Sequence, residues 1–244
     1  AMLHMSALSS AMLLQSRGVE TVMQVCVRDR NRLALQADLL GANACGIINL
    51  LAVTGEDPVF GDHQQALAVH DLDHLDLLYA ISSLQNGKDL AGKDLDGAPQ
   101  FLIGSTVNSS LKGQALELEI EKMNRRHEAG ARFFITPPVF DLACMDAFIE
   151  RVDPKKYKII PSVLLLKSLG MVRYMERNLK HVSIPRTLVQ RIQAAADKGR
   201  ECLRVTQELV AAMKSEGFSG VQITTLGRED RLSALLGVPA KVDA

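Results

Sequence analysis

Apolar positions along the chain follow two periods in alternation. Residues 6–17 carry Leu8, Met12 and Leu13 at helical spacing, and Gly18 ends the run. Residues 21–27 form a short β-rich stretch closed by Arg28-Asp29-Arg30, and a helix is predicted over 32–42. Residues 47–53 are continuously apolar, the pattern of a parallel strand covered on both faces. A long loop follows, then a helical pattern over 71–84. Residues 86–100 are turn-rich and hold the near repeat GKDLAG and GKDLDG, too short to indicate a repeat architecture.

The second half continues the alternation. Strands are predicted over 101–107, 131–136, 158–163 and 221–225, and helices over 114–128, 141–152, 168–177, 185–198, 204–215 and 230–236. Strands separated by helices imply βαβ crossovers and a mostly parallel sheet. A closed eight-stranded barrel of this kind takes roughly 250 residues. This chain of 244 residues shows six strands, its extra length lying in the 56–72 loop, the connector and the C-terminal helices. The expected fold class is therefore α/β, one domain over 1–244 built as an open or incomplete barrel. The two further strands would most naturally precede the first helix.

Strand ends are where such a fold builds its sites. The stretch LLAVTGEDPVFGDH, residues 50–63, puts Glu56 and Asp57 side by side at the mouth of a buried strand. A turn explains Asp before Pro and Gly. A carboxylate at that rim could also stabilise a cationic intermediate or accept hydrogen bonds from a heterocycle. Ile103 leads into Gly104-Ser105-Thr106-Val107-Asn108, and Phe134 into Thr136-Pro137-Pro138. Thr224 and Thr225 lead into Gly227 and Arg228. Gly55 and Gly104 would let a flat ligand approach the backbone. His70 and His74, with Asp71 and Asp73 beside them, read as a solvated helix start, and no metal site is expected. Ser109 and Ser110 read as caps of the following helix.

Composition narrows the classes. With 28 basic and 28 acidic side chains the net charge is zero, so no nucleic-acid partner is expected. No segment reaches 18 apolar residues without charge, which argues against a membrane span. The first 20 residues lack a basic head, apolar core and processing site, and a cytoplasmic protein is expected. Cysteines at 26, 45, 144 and 202 show no paired short spacing, so buried thiols fit better than a zinc cluster or disulfides. No GxSxG, HExxH, GxGxxG or P-loop pattern occurs.

The segment MSALSSAMLLQSRGVETVMQVCVRDRNRLALQADLLGANACGIINLLAVTGEDP resembles the methylenetetrahydrofolate reductase family from that family's third strand onward. So do GDHQQALAVHDLDHLDLL, EKMNRRHEAGARFFITPPVFD, KIIPSVLLL and VQITTLGRED. The Asp-Arg-Asn-Arg segment and GDHQQALAVHDLD look most like the branch found in anaerobes. The resemblance implies a TIM-type barrel carrying FAD at its C-terminal face. It implies NAD(P)H or a partner flavoprotein as electron donor and 5,10-methylenetetrahydrofolate as substrate, reduced to 5-methyltetrahydrofolate.

Residue by residue, the resemblance places Glu56 or Asp57 where the family has a catalytic aspartate. Gln24, Thr54, Gly55, Gly104, Ser105, Thr106 and Asn108 fall where it contacts the flavin. Glu119 and Arg126 fall near the FAD tail, Arg126 standing where the family has lysine. Thr136 and Arg228 fall at folate-binding positions, but Pro137 replaces the glutamine that recognises the pterin, and proline has no donor. The family's first two strands, one bearing its proposed general acid, find no counterpart in these residues. A homo-oligomer or a partner subunit is expected to complete the sheet. Two other readings stand beside this one: a flavin-free structural subunit of an oxidoreductase assembly, and a flavoenzyme acting on another one-carbon carrier.

Overall fold

A computed structural model describes residues 3–153, 156–178 and 184–237. Among the described residues fifteen helices and strands follow one another. They are α1 (Ala7–Gln15), β1 (Val22–Cys26), α2 (Arg32–Ala44), β2 (Asn49–Val53), α3 (His74–Gln85), β3 (Leu102–Thr106), α4 (Gly113–Glu128) and β4 (Phe133–Pro138). Then come α5 (Asp146–Ile149), β5 (Lys158–Leu164), α6 (Leu169–Asn178), α7 (Arg186–Ala194), α8 (Lys198–Ser215), β6 (Gln222–Thr224) and α9 (Leu232–Leu236). The six strands lie in one sheet in the order β1-β2-β3-β4-β5-β6. This is the parallel, alternating arrangement of an incomplete TIM-type barrel, six strands of eight, and all six predicted strands are present.

Contacts group the chain into two compact units, Ala1–Thr106 with Glu121–Phe134, and Val107–Ile120 with Ile135–Ala244. In the first unit Val22↔Asn49 and Cys26↔Val53 set the β1–β2 register, and Leu51↔Gly104 the β2–β3 register. Leu50, Ala52 and Ile103 are buried with Leu35 and Leu39 of α2 and Leu77, Leu78 and Ile81 of α3. The near-complete burial of β2 explains its unbroken apolar sequence. In the second unit, β5 and β6 pair with Ser162↔Gln222 and Leu164↔Thr224 in register. There Phe140, Leu164, Val172, Leu188, Ile192, Cys202 and Val205 form a separate apolar cluster.

Side-chain caps fix the helix starts by accepting otherwise unpaired backbone N–H groups. Ser6 caps α1, Asn31 caps α2 and Asp197 caps α8. Asp73 and Asp76 form a reciprocal capping box on α3. The cap at Asp197 starts α8 six residues before the predicted 204, and α7 correspondingly ends at Ala194. The helix predicted over 141–152 is a 3₁₀ turn (Leu142–Met145) followed by the single turn α5. Those turns suffice to bury Met145, Phe148 and Val152.

Candidate functional site

In the first unit the ends of β1 and β2 are tied by the Arg28–Arg32 segment. Arg28 Nη1 donates to the main-chain oxygen of Glu56 at 2.7 Å, while its guanidinium pairs with Asp29 at 2.5 Å. Asp29 raises the Arg28 pKa, and Arg28 lowers the Asp29 pKa. The carbonyl of Arg28 also accepts from Val69 N at 2.6 Å, so one residue holds both flanks of the long loop. Arg32 closes its far end, with Nε 3.0 Å and backbone N 2.7 Å from the Asp71 carboxylate.

The two acids of the mouth divide their work. Asp57 Oδ1 accepts from Val59 N at 2.9 Å and caps a 3₁₀ turn over Pro58–Phe60. Glu56 is exposed at the rim and is positioned through its backbone. Gly55 has φ +85°, and a Cβ there would collide with Cys26 Sγ and press on Arg28 Cβ. The space over Gly104 is filled by the Phe133 ring, which a Cβ would overlap. At both glycines the room read from the sequence as ligand space holds the chain's own side chains. Gln24, Leu51 and Gly104 lie in one lateral row across β1, β2 and β3, with Gln24 exposed.

A cavity of about 440 Å³ opens beside these strand ends. Thr54, His70, Asp73 and His74 line it together with Lys122, Arg125 and Arg126 of α4. Arg126 is half-buried and donates to the Thr106 carbonyl at 2.6 Å, fixing the last residue of β3. His74 Nε2 lies 2.8 Å from the buried Ser105 hydroxyl, and Nδ1 3.3 Å from Thr54 Oγ1. Burial pushes its pKa down to about 4; the nearby Arg126 charge acts the same way and Asp73 opposes it. The ring is therefore neutral at physiological pH. His74 is not the solvated helix-start residue the sequence suggests, whereas His70 is exposed.

In the second unit, Asn108 N donates to Glu119 Oε1 at 3.2 Å, and Asn108 Oδ1 accepts from Ser110 N at 3.2 Å. Ser109 caps nothing. Its hydroxyl is the one side-chain polar atom among the described residues that is buried without a hydrogen-bond partner. Thr136 is buried; its hydroxyl donates to the Pro137 carbonyl at 2.8 Å and accepts from Ser162 N at 3.1 Å. A cavity of about 390 Å³ lies at the ends of β5 and β6, lined by Lys167, Asp197, Arg200, Arg228 and Arg231. Asp230 pairs with both Arg228 and Arg231 at 3.1 Å, and Arg228 holds its carboxyl below the usual range.

Sequence reasoning missed His74, Arg28, Lys122 and Arg125. One signal was available: Asp73 and Asp76, three residues apart, mark a capping box that makes His74 the first helical residue. Among the described residues no group of three His, Cys, Asp or Glu could hold a metal ion, and no helix is long and apolar enough to cross a membrane.

A family profile described as methylenetetrahydrofolate reductase matches residues 1–237. Methylenetetrahydrofolate reductase 2 of Schizosaccharomyces pombe is 25% identical over 220 residues, covering 86% of this chain and 33% of that protein. The chain thus spans about a third of the length of the curated relative it matches. A solved structure of a protein named as a lyase/mutase, from Burkholderia cenocepacia J2315, aligns with a TM-score of 0.39 and 12% identity over 80% of this chain and 78% of the other. That likeness is too loose to carry an argument. The profile match over nearly the whole chain, joined to the six-stranded α/β sheet, shows that the chain belongs to the methylenetetrahydrofolate reductase family.

Proposed function

We propose that the chain takes part in flavin-dependent reduction of 5,10-methylenetetrahydrofolate to 5-methyltetrahydrofolate, with FAD as cofactor and NAD(P)H or a partner flavoprotein as electron donor. The observation that carries this reading is the first unit's cavity, which sets three cationic side chains beside Thr54 and His74. The donor set fits a flavin dinucleotide: cations for a diphosphate, and neutral hydrogen-bonding groups for hydroxyls. The bound flavin would supply the hydride transfer. Lys122, Arg125 and Arg126 would hold its diphosphate, and Thr54 and His74 the hydroxyl-bearing part of its tail.

Glu56 is the better candidate for the electrostatic role at the mouth, because the Asp57 carboxylate is already used as a cap. A carboxylate at the mouth would favour the cationic iminium form of the folate, the form that accepts hydride. The Asp29-Arg30-Asn31-Arg32 segment is the sequence feature on which the chain is placed with the anaerobe-type branch. A cytoplasmic enzyme acting as an oligomer or with a partner subunit fits this reading.

One observation favours a flavin-free structural subunit instead: Cys26 and Phe133 occupy the space over Gly55 and Gly104. Titration with FAD separates the two. Protein-bound flavin gives absorbance bands at about 370 and 450 nm that stay with the chain on gel filtration. Elution without these bands supports the structural subunit.

A further inference from the structure

The wall of the first unit's cavity has two chemically different sides. Lys122, Arg125 and Arg126 make one side cationic. The other side holds Thr54, His70, Asp73 and His74, the Asp73 carboxylate being engaged in the α3 capping box, and is organised by a single ring, with His74 Nε2 2.8 Å from Ser105 Oγ and Nδ1 3.3 Å from Thr54 Oγ1. Ser105 has no exposed surface, so its hydroxyl anchors the ring rather than meeting a ligand. His74 and Thr54 both line the cavity.

We propose that His74 is a ligand-positioning residue of this cavity. Anchored by Ser105, it holds the Thr54 hydroxyl toward the hydroxyl-bearing part of a phosphorylated ligand, whose anionic group lies against Lys122, Arg125 and Arg126. The chemical class is a nucleoside diphosphate or a phosphorylated polyol. A neutral imidazole keeps one donor and one acceptor, and both are engaged by Ser105 Oγ and Thr54 Oγ1, so the ring acts on the ligand through the Thr54 hydroxyl that it orients. An imidazolium would have two donors and add a fourth charge to the cationic side. Burial and the Arg126 charge keep the ring neutral. The inference rests on the flavin reading only in naming FAD as the natural occupant; the class follows from the cavity.

The test is calorimetric titration of the wild-type chain and three variants with inorganic pyrophosphate, ADP and FAD. His74→Ala is expected to weaken ADP and FAD up to about tenfold, through loss of the hydrogen bond made by the oriented Thr54 hydroxyl, and pyrophosphate by less than about twofold. Ser105→Ala, which keeps the ring but frees it, should show the same selectivity at smaller amplitude. Lys122→Gln should weaken all three ligands. Thermal unfolding checks each variant, and where His74→Ala is unfolded, His74→Gln and Ser105→Ala carry the comparison. Equal losses for pyrophosphate and ADP in the His74 and Ser105 variants, or none for either, would overturn the proposal. A wild-type chain that binds none of the three overturns it together with the flavin reading. One that binds ADP and pyrophosphate with the stated selectivity but not FAD overturns the flavin reading alone.

Discussion

Arg28 holds Glu56 by its backbone, Nη1 to carbonyl oxygen at 2.7 Å, and leaves the Glu56 carboxylate at the rim of β2. The neighbouring Asp57 points its carboxylate at Val59 N instead. The two adjacent acids thus differ in placement, Asp57 capping the turn and Glu56 leaving its carboxylate exposed.

That separation predicts different consequences for the two single mutants. Glu56→Gln should lower the rate of reduced-flavin oxidation by methylenetetrahydrofolate about 10²–10³-fold, the usual cost of one preorganised electrostatic group. Asp57→Ala should leave the rate within a few-fold and cost about 1 kcal/mol of stability as a lost cap. Stopped-flow kinetics and urea unfolding on both proteins check this; the reverse assignment would return the catalytic role to Asp57.

His74 predicts a pH dependence. Its folded pKa, about 4, lies below the ordinary 6.5, so the unfolded chain holds a proton that the folded chain excludes between those values. The stability this contributes is fully present above pH 6.5 and is lost as pH falls toward 4, by up to about 1.4 kcal/mol per pH unit. Urea unfolding of wild type and His74→Gln at several pH values isolates this slope from that of other groups. Identical slopes in the two proteins would remove His74 as its source.

Gly104 should tolerate no side chain while Phe133 is present. Gly104→Ala forces a Cβ into the Phe133 ring and is expected to cost about 1–3 kcal/mol through overpacking. Combining it with Phe133→Leu should recover part of that loss, because the two changes share one contact. Additive losses in the double mutant would show that the glycine serves another purpose.

Ser109 should gain from losing its hydroxyl. Its Oγ is buried and unpaired, and Ser109→Ala removes a desolvation cost of about 1–3 kcal/mol. A rise in thermal midpoint is expected. A fall would mean that the hydroxyl has a partner in solution.

Much of the fold was legible because β2 is covered on both faces and announces itself as an apolar run through Leu50, Leu51 and Ala52, while β1 alternates exposed and buried positions. The starts of α1 and α2 were legible from apolar spacing, whereas α3, expected from residue 71, begins at His74 after the Asp73 cap. The site was less legible because its geometry depends on pairs far apart in sequence. Nothing near Gly104 reveals that a ring 29 positions later fills its space, and nothing near His74 reveals Ser105 beneath it. The Glu56–Asp57 ambiguity required knowing which carboxylate turned toward Val59.

The central claim is tested most directly by loading the chain with FAD, reducing it anaerobically, and mixing it with 5,10-methylenetetrahydrofolate. The account predicts return of oxidised-flavin absorbance at about 450 nm, formation of 5-methyltetrahydrofolate, and a much slower return in Glu56→Gln. A chain that binds no flavin, or whose reduced flavin is left unchanged by the folate, would contradict it.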